Sequence, residues 1–465
     1  MAVERSPRAY VETYGCQMNI ADGELMEGLL MKSGYSLVRS PEDADVILVN
    51  TCAIREHAET RVLGRVGQLN YFKRLRPEVV LGVTGCMAQR MKEDLLDRAP
   101  YVDLVMGPDG YRDLPGTLGE IRSGRESGRP RRRLSVVDLR LDEDYRGLEQ
   151  HRRSNVTAWV PIQRGCDHRC TFCIVPYVRG PEKNRFPFEI LEEVRELAAG
   201  GITEVTLLGQ TVNSYSYEYW DFARLLRAVA RVPGLQRVRF TSPHPNDFTP
   251  ELLDVMAAEP TVCEHIHLPV QSGSDRVLRR MLRRYTVEKF MQTVEMIRSR
   301  MPSVALSTDV IVAFPGESGE DFEQTLELME TVRFDEAFTY RYSPREGTPA
   351  TRLPPHQFVD DETGQARLEE LIGVTRRIQA EINETEVGGY REILVERAGR
   401  YEGTVLGRTR RNKAVVAEGT ENDIGRYISV KLTGTTGPTF QAMRLPDEQP
   451  MPFVWPPYPN LDHLR

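Results

Sequence analysis

Three of the seven cysteines in this 465-residue chain lie within eight residues, at Cys166, Cys170 and Cys173. Thiolates spaced so closely on one loop can hold three irons of a cubic [4Fe–4S] cluster, which leaves the fourth iron open to a small molecule. Zinc is the alternative metal, but a structural zinc site takes four ligands and this loop has no fourth cysteine. His168, between the first two cysteines, could serve as a ligand, although such a histidine more often faces solvent.

A second set of three cysteines, Cys16, Cys52 and Cys86, is scattered over the first part of the chain at intervals of 36 and 34 residues. Each directly follows a predicted strand, in the stretches "YVETYGC", "VILVNTC" and "VVLGVTGC". Because parallel strands end at the same edge of a sheet, the three thiols are expected to lie together at the carboxyl edge. A second cluster with an open iron explains this pattern better than three separate buried cysteines. Cys263 belongs to neither set and is interpreted as structural.

The composition is that of a folded protein whose cysteines stay reduced. Hydrophobic residues make up 40% of the chain and charged residues 28%. No apolar run approaches the roughly 20 residues that a membrane-spanning helix needs, and the first residues lack the apolar segment of a secretory signal. A cytoplasmic location is therefore expected, where clustered cysteines indicate metal binding and not disulfides. The net charge of −7 means that any nucleic acid must be bound by local basic patches.

Two series of alternating strands and helices precede a segment of short strands. Residues 8–121 predict an α/β domain with a parallel sheet, and residues 122–155, which include "SGRESGRPRRRL", a basic linker. Residues 156–385 predict six strand–helix units with a connecting helix, which favours a partial barrel smaller than the eight-stranded form. Residues 386–446 contain five short strands between glycine-rich turns, typical of a small barrel similar to an oligonucleotide-binding fold. Residues 447–465 are interpreted as a proline-rich tail.

Several motifs add a resemblance to a known family. The stretch "GCDHRCTFC", which opens the six-unit series, resembles the radical S-adenosylmethionine (SAM) superfamily. The stretches "ETYGCQMN", "NTCAIRE" and "GVTGCMAQR" resemble the amino-terminal domain of methylthiotransferases, and "LLGQTVNSY", "SPHP", "HLPVQSGSDRVLRRM", "DVIVAFPGES" and "YSPREGTPA" continue the resemblance through the predicted barrel. The last β segment is similar to the RNA-binding TRAM domain of that family.

The resemblance implies an enzyme with two [4Fe–4S] clusters, one on each cysteine set, and two uses of SAM. One SAM provides a methyl group for sulfur held at Cys16, Cys52 and Cys86. The other yields a 5′-deoxyadenosyl radical at the second set. The wording of the motifs is most similar to the branch that places a methylthio group on carbon 2 of N(6)-dimethylallyladenosine at position 37 of tRNA. Alternatives are the branches that modify an aspartate of a ribosomal protein or threonylcarbamoyl-adenosine, and a non-catalytic iron–sulfur RNA-binding protein.

The cofactor pocket is predicted from polar residues at the ends of the barrel strands, where such barrels bind their ligands. The resemblance also implies that Phe172 packs against the adenine of SAM. Arg283 could pair with the carboxylate of SAM, and the alternative is a solvated helix arginine. His265 and His267 share one face of a strand and are interpreted as packed side chains. The predicted pocket residues at the strand ends are Gln210, Asn213, Ser242, Gln271, Ser272 and Asp309.

The stretch "GRTRRNK" in the last β segment is the predicted phosphate contact, through Arg408, Arg410, Arg411 and Lys413. The predicted partners are tRNA, an electron donor such as flavodoxin or ferredoxin, and proteins of iron–sulfur assembly or sulfur delivery. No membrane contact is expected, and the protein is expected to be a monomer.

The chain departs from the family wording in two places. Thr211 replaces a common asparagine, and the stretch "RGPEKNR" differs from the common "RGRERSR" at Pro181, Lys183 and Asn184. If this second stretch touches the substrate, these differences bear on how the substrate is bound.

Overall fold

The N-terminal part of the chain forms a six-stranded sheet in which every pair of neighbouring strands is parallel, in the order β2-β1-β3-β4-β5-β6. The computed structural model describes residues 5–53, 56–126 and 133–446. The strands are β1 Arg8–Thr13, β2 Ser36–Leu37, β3 Val46–Thr51, β4 Val80–Gly85, β5 Leu104–Met106 and β6 Leu134–Val136. The helices are α1 Gln17–Lys32, α2 Glu56–Leu75, α3 Cys86–Met91, α4 Glu93–Arg98 and α5 Leu114–Glu126.

The central strands of this sheet are buried on both faces. Every residue of β3 and of β4 is buried, and two separate hydrophobic clusters cover the two sides of the sheet. Continuous apolar strands of this kind are typical of parallel sheets with helices on both faces. The helical segment after β4 is divided in two, because Lys92 takes a backbone conformation with a positive φ of 52° between α3 and α4.

The segment predicted as a basic linker is largely part of the N-terminal domain. Helix α5 continues to Glu126, and β6 adds a parallel strand to the edge of the sheet. Further along, Arg152 and Arg153 form ion pairs with Glu24 and Glu27 of α1, at 3.1 and 2.7 Å. These arginines are therefore held on α1 and are not a solvated connector. Part of the arginine run, residues 127–132, and the predicted tail, residues 447–465, lie outside the described residues.

The central part of the chain forms the predicted partial barrel. Two three-stranded parallel sheets, with strands in the orders β13-β10-β7 and β14-β15-β16, meet where Val238 bridges to Val262. The strands are β7 Thr157–Pro161, β8 Gln163–Arg164, β9 Lys183–Asn184, β10 Glu204–Leu208, β11 Ser216–Tyr217, β12 Trp220–Asp221, β13 Arg237–Phe240, β14 His265–His267, β15 Ala305–Val312 and β16 Glu336–Arg341. The helices are α6 Val175–Arg179, α7 Pro187–Ala199, α8 Phe222–Ala230, α9 Pro250–Ala258, α10 Asp275–Arg280, α11 Val287–Arg300, α12 Gly319–Val332 and α13 Asp361–Glu386.

The two faces of the barrel wall differ in chemistry. Residues such as Ile266 and Val310 point outwards into the large core shared with the helices. Because side chains alternate along a strand, the intervening residues line the inside of the barrel, and apart from Ile311 the ones named below are polar or aromatic. On the last three strands the inner residues are His265, His267, Ser307, Asp309, Ile311, Glu336, Phe338 and Tyr340.

The C-terminal strands form a closed five-stranded barrel with the order β17-β18-β19-β21-β20. The strands are β17 Tyr390–Ala398, β18 Thr404–Thr409, β19 Ala414–Glu418, β20 Tyr427–Thr436 and β21 Thr439–Arg444. Alternate residues, among them Ile393, Val415 and Phe440, point inwards and fill the barrel. The predicted fold class, α/β with a small C-terminal barrel, is confirmed. Among the described residues, no helix combines the length and apolar character needed to cross a bilayer.

The turn between β18 and β19 inserts into the N-terminal end of the partial barrel. Arg237 and Arg239, at the start of β13, donate hydrogen bonds of 2.8 Å to the backbone carbonyls of Arg408, Thr409 and Arg410. This end of the barrel is therefore closed by the C-terminal domain, and the opposite end is the one at which a ligand is expected.

The side chains of this turn correct the prediction that it contacts RNA phosphates. Arg410 pairs with Glu264 at 2.8 Å, and both Arg411 and Lys413 pair with Asp335, at 3.0 and 3.3 Å. Their charges are neutralised by carboxylates of the central barrel, so these three residues dock two domains. Arg408 is more exposed and pairs with Glu396 at 3.3 Å within its own domain, so its phosphate contact stays a prediction.

Asp335→Asn should loosen this domain contact and lower the free energy of unfolding by about 3–5 kcal/mol, because it leaves the buried Lys413 without its carboxylate and Arg411 with Glu386 alone. Thermal or urea unfolding of the purified protein measures the loss. Asp361→Asn is the matched control, since Asp361 is 96% exposed and its pair with Arg341 should contribute less than about 1 kcal/mol. Equal effects of the two substitutions would contradict the docking role of Asp335.

Candidate active site

The three scattered cysteines lie together at the carboxyl edge of the N-terminal sheet. Cys16 caps the start of α1, Cys52 follows β3, and Cys86 begins α3 directly after β4. The pKa of Cys16 falls to about 6, because the Cys52 thiol hydrogen-bonds to it and the Arg179 guanidinium favours its thiolate. Burial raises the pKa of Cys86. Cys52 contacts Cys16, and a negative charge on Cys16 raises the pKa of Cys86. The structure therefore brings the predicted set together.

Two glycines allow this approach. Gly15 has φ of 127°, and a Cβ there would lie 2.4 Å from the Cβ of Cys52. Gly85 has φ of 93°, and a Cβ there would lie 2.4 Å from the carbonyl oxygen of Thr51. Any larger residue at either place would push the cysteine-bearing loops apart.

The three clustered cysteines lie on the loop that connects β8 to α6. Thr211 shares a hydrogen bond of 3.2 Å between its hydroxyl and the Cys166 sulfur. Arg283 donates from Nη1 to the Cys170 sulfur at 3.4 Å. The pKa of Cys173 rises to about 12, because the thiol is buried and the nearby Cys170 thiolate repels a second negative charge.

This loop lies over the carboxyl ends of the last barrel strands. The backbone N–H of Thr171 donates to the carbonyl of Met281, and Ala350 donates back to the carbonyl of Thr171, at 3.1 and 2.9 Å. The Phe172 ring packs edge-on against Phe314, directly after β15, with 6.5 Å between ring centroids. The loop therefore lies at the open end of the barrel, opposite the end that the C-terminal domain closes.

A buried charge cluster joins the two cysteine sets. Asp22 of α1 accepts hydrogen bonds from Arg164, just before Cys166, and from Arg179, at the end of α6, the latter at 2.6 Å. All three charged side chains are buried. Arg179 also donates from Nε to the Cys86 sulfur at 3.2 Å.

Apolar contacts complete this domain interface. Ile174 and Val178 of the clustered loop and α6 pack against Ala53 and Cys86 of the N-terminal domain. The two cysteine sets thus face one interface between the N-terminal sheet and the partial barrel.

The donor atoms suit iron–sulfur clusters. Each set offers three thiols, and each is buried or half-buried. Three thiolates without a fourth protein ligand leave one iron open, as a cluster that binds a small molecule requires. The backbone of His168 hydrogen-bonds to Cys166, whereas its ring stacks on His244, with ring centroids 3.9 Å apart.

Only some of the predicted pocket residues are available to a ligand. The Oε1 atom of Gln210 is buried and has no hydrogen-bond partner among the described residues, so it can accept from a bound molecule. Asn213 is occupied, since it donates to the carbonyl of His244 at 2.9 Å and accepts from its N–H at 2.7 Å. Ser272 is fully buried and accepts a hydrogen bond from the N–H of Ser274, at 3.2 Å. The positions of Asn213 and Ser272 therefore indicate roles in shaping the loops.

The remaining predicted residues are Arg283, Ser242, Gln271 and Asp309, and Arg283 is already engaged within the protein. Arg283 uses its nitrogens on Cys170, on Tyr285 and on the carbonyl of Pro269, so its position favours support of the cysteine loop over pairing with a carboxylate. Ser242 and Gln271 have left-handed backbones, with φ of 58° and 71°, at the ends of their strands. Asp309 lies on the inner wall, 3.2 Å from His267.

Two features of the site were not found from the sequence. Asp22 carries no motif, and Arg179 opens the stretch "RGPEKNR", whose wording gives no sign of its partner, so only the fold brings the two together. His244 and Asp247 lie beside His168, with buried His244 Nε2 and Asp247 Oδ2 atoms that lack hydrogen-bond partners among the described residues. Two residues that differ from the common family wording do mark this site in the sequence. Thr211 contacts Cys166, and Lys183 pairs with Asp109 of the N-terminal domain at 2.9 Å.

Gly15→Ala should lower the iron content of the protein by about four atoms per chain, because the new Cβ separates Cys16 from Cys52 and removes one cluster. Iron and acid-labile sulfide assays after anaerobic reconstitution measure the effect. Gly34→Ala at the other end of α1 is the control, since φ there is also positive, at 85°, but nothing lies within 4 Å of the new Cβ. Normal iron content in Gly15→Ala would show that the two thiols need not approach so closely.

Family models match three successive parts of the chain. Residues 8–107 match the family described as uncharacterized protein family UPF0004, residues 160–329 match the radical SAM superfamily, and residues 384–437 match the TRAM domain. The match to the radical SAM superfamily includes the clustered cysteines, and the match to UPF0004 includes the scattered ones.

Curated relatives extend over nearly the whole chain. A tRNA-2-methylthio-N(6)-dimethylallyladenosine synthase of Carboxydothermus hydrogenoformans is 44% identical over 432 residues, which is 91% of this chain and 96% of the relative. A protein with the same name from Thermoanaerobacter sp. is 43% identical over 93% of this chain and 91% of the relative.

Solved structures share the fold at low sequence identity. The radical SAM methyltransferase TsrM from Kitasatospora setae, with cobalamin and a [4Fe–4S] cluster bound, aligns with a TM-score of 0.55 and 13% identity. That alignment covers 83% of this chain and 81% of the other. The likeness supports the arrangement of an N-terminal α/β domain beside a partial barrel.

Proposed function

The chain belongs to the family of tRNA-2-methylthio-N(6)-dimethylallyladenosine synthases, and from this premise we propose how its two cysteine sets perform that reaction. The enzyme inserts a methylthio group at carbon 2 of N(6)-dimethylallyladenosine in tRNA by a radical mechanism. In the proposal Cys166, Cys170 and Cys173 hold the cluster that binds SAM, and the second set, with Cys86, holds a separate cluster for sulfur. The observation that carries the proposal is the shared interface of the two sets across Asp22.

The reaction needs a radical because carbon 2 of an adenine ring carries an inert C–H bond that no side chain of this site can deprotonate. When bound, the two clusters and SAM supply a 5′-deoxyadenosyl radical on one side and a sulfur that accepts a methyl group on the other. The residues of the chain hold the two cysteine sets in place. The loop after β8 holds one cysteine set over the open end of the barrel, and the Asp22 cluster holds the other set against it.

The inner barrel wall offers a place for the target base. Phe338 is 42% exposed although it is apolar, and its ring lies edge-on to His267 at 5.9 Å. It is paired in register with Asp309, so both face the inside of the barrel. An exposed aromatic side chain beside polar groups is suited to stack on a base that has been splayed out of its loop. We place the adenine and its dimethylallyl group against Phe338.

Phe338→Ala should raise the KM for tRNA or lower kcat/KM by roughly tenfold, since a base–aromatic stack contributes about 1–3 kcal/mol. Methylthiolation of tRNA that carries dimethylallyladenosine, followed over a range of tRNA concentrations, measures the change. Cleavage of SAM without tRNA should be unchanged. Phe188→Ala is the control, because Phe188 is 49% exposed on helix α7, outside the barrel. A normal kcat/KM in Phe338→Ala would exclude this position for the base.

The TRAM domain supports tRNA as partner, and another part of its surface must contact the RNA once the docked turn is excluded. Tyr390 is 40% exposed and lies directly opposite Lys431 in the β17–β20 pair. The ammonium group lies 5.8 Å from the centre of the ring. A paired aromatic ring and cation can stack on a base and contact a phosphate, so we assign RNA binding to this face.

The proposal also includes an electron donor, a source of sulfur, a monomeric state and a cytoplasmic location. Reduction of the SAM-binding cluster needs a one-electron donor of the flavodoxin or ferredoxin type, and sulfur must be supplied by assembly or delivery proteins. We expect the enzyme to meet these proteins in the cytoplasm and to act as a monomer.

Anaerobic reconstitution tests the two-cluster assignment. The protein should bind roughly eight irons per chain, and mass spectrometry should find a methylthio group on tRNA that carries dimethylallyladenosine. Iron for only one cluster, or a methylthio group on a ribosomal protein, would contradict the proposal.

Single cysteine variants separate the roles of the two sets. Cys173→Ala should abolish the release of 5′-deoxyadenosine, whereas Cys86→Ala should retain SAM cleavage and lose methylthiolation. Cys263→Ala is the control and should retain both activities. Cys263 is buried near the charged groups of Arg239 and Glu204, at the opposite end of the barrel. Loss of both activities in Cys86→Ala would show that the two sets do not have separate roles.

A further inference from the structure

Arg179 is the side chain that connects the two cysteine sets most directly. It lies at the end of α6, six residues after Cys173, and reaches across the domain interface. Its Nε donates to the Cys86 sulfur at 3.2 Å and its Nη2 donates to Asp22 at 2.6 Å. The residue is only 5% exposed.

The third nitrogen of this guanidinium has no partner among the described residues. Nη1 of Arg179 is buried and makes no hydrogen bond within the described part of the chain. A buried charged donor without an acceptor is unfavourable, so this nitrogen requires a water, an ion or a ligand as its acceptor. The free nitrogen belongs to the group that already contacts Cys86, so an acceptor for it would lie close to the same metal ligands.

The local charge also favours an anion. Asp22 is shared between two guanidinium groups, with Arg164 on one carboxylate oxygen and Arg179 on the other. Arg164 is further engaged by the Tyr145 ring, whose centre lies 3.5 Å from its guanidinium carbon. One carboxylate for two buried cations leaves an excess of positive charge next to Cys86 and Cys16.

We propose that Arg179 is a positioning residue that binds the anionic sulfur delivered to the cluster on Cys16, Cys52 and Cys86. Nη1 donates to a sulfide or hydrosulfide ion at the open iron, while Nε holds the Cys86 sulfur and Nη2 stays on Asp22. The sulfur atom to be methylated is then fixed at the interface that faces the second cysteine set. This inference rests on the proposed function, since it needs a cluster at the scattered cysteines.

The test uses the full-length chain with Cys166, Cys170 and Cys173 replaced by alanine, so that the remaining cluster is the one on the scattered cysteines. Sodium sulfide is titrated into the reconstituted, reduced protein, and binding is followed by the change in the electron paramagnetic resonance spectrum. Arg179→Gln should weaken sulfide binding by roughly tenfold or more, since it removes a charge-assisted hydrogen bond, and should shift the midpoint potential of the cluster. Arg179→Lys keeps the charge and should retain part of the affinity.

Arg153→Gln is the matched control, because it removes an arginine that pairs with Glu27 of α1 but donates neither to a cysteine nor to Asp22. It should leave sulfide affinity within about threefold of the parent and the spectrum unchanged. Equal weakening in Arg153→Gln and Arg179→Gln would overturn the inference, because a general loss of contacts on α1 would then be responsible. Unchanged sulfide binding in Arg179→Gln would also overturn the inference. If Arg179→Gln does not load iron, unchanged sulfide binding in Arg179→Lys would overturn it instead.

Failure of the proposed function gives a different result. The parent with the three alanines would then bind no iron at all, and the inference would be overturned together with the second cluster. A parent that binds about four irons per chain and responds to sulfide supports the proposed function whatever the Arg179 variants do.

Discussion

The buried carboxylate of Asp22 is the contact on which the arrangement of this protein depends. It lies on α1, the helix that Cys16 begins, and it binds two arginines that flank the clustered cysteines of the barrel. Breaking one partner of a buried ion pair leaves an uncompensated charge, so the two domains have one strongly preferred relative position. Both cysteine sets are thereby fixed at a common interface, so the two clusters proposed for them would act in a single place.

The other end of the barrel is closed by a second set of charges. The turn after β18 inserts Arg410, Arg411 and Lys413 among Glu264 and Asp335 at the N-terminal ends of the strands. A turn that resembles a surface for nucleic acid is therefore used inside the protein. Its docking also fixes the orientation of the C-terminal domain, so that an RNA held on the outer face of that domain keeps a constant relation to the open end of the barrel.

Between these two ends, the environment of each sulfur is set by a different neighbour. Cys86 receives a hydrogen bond from Arg179, Cys170 from Arg283, and Cys166 contacts the Thr211 hydroxyl. Hydrogen bonds to cluster sulfurs and the burial of the site tune the reduction potential of an iron–sulfur centre. Two centres of the same type can thus be given different chemical properties by residues that belong to different loops of one chain.

The order of strands and helices, both cysteine sets and the family were predictable from the sequence, because spacing, strand ends and motif wording are local properties. Cysteines at three strand ends had to meet at one edge, since parallel strands leave no other arrangement. The partners of single charged residues were not predictable. No motif indicated the partners of Arg179. Arg411 was predicted to contact RNA phosphate and Asn213 to contact the cofactor, because their true partners lie in distant segments. Only the tertiary structure decided those roles, since a charge is solvated or buried according to what other elements place beside it.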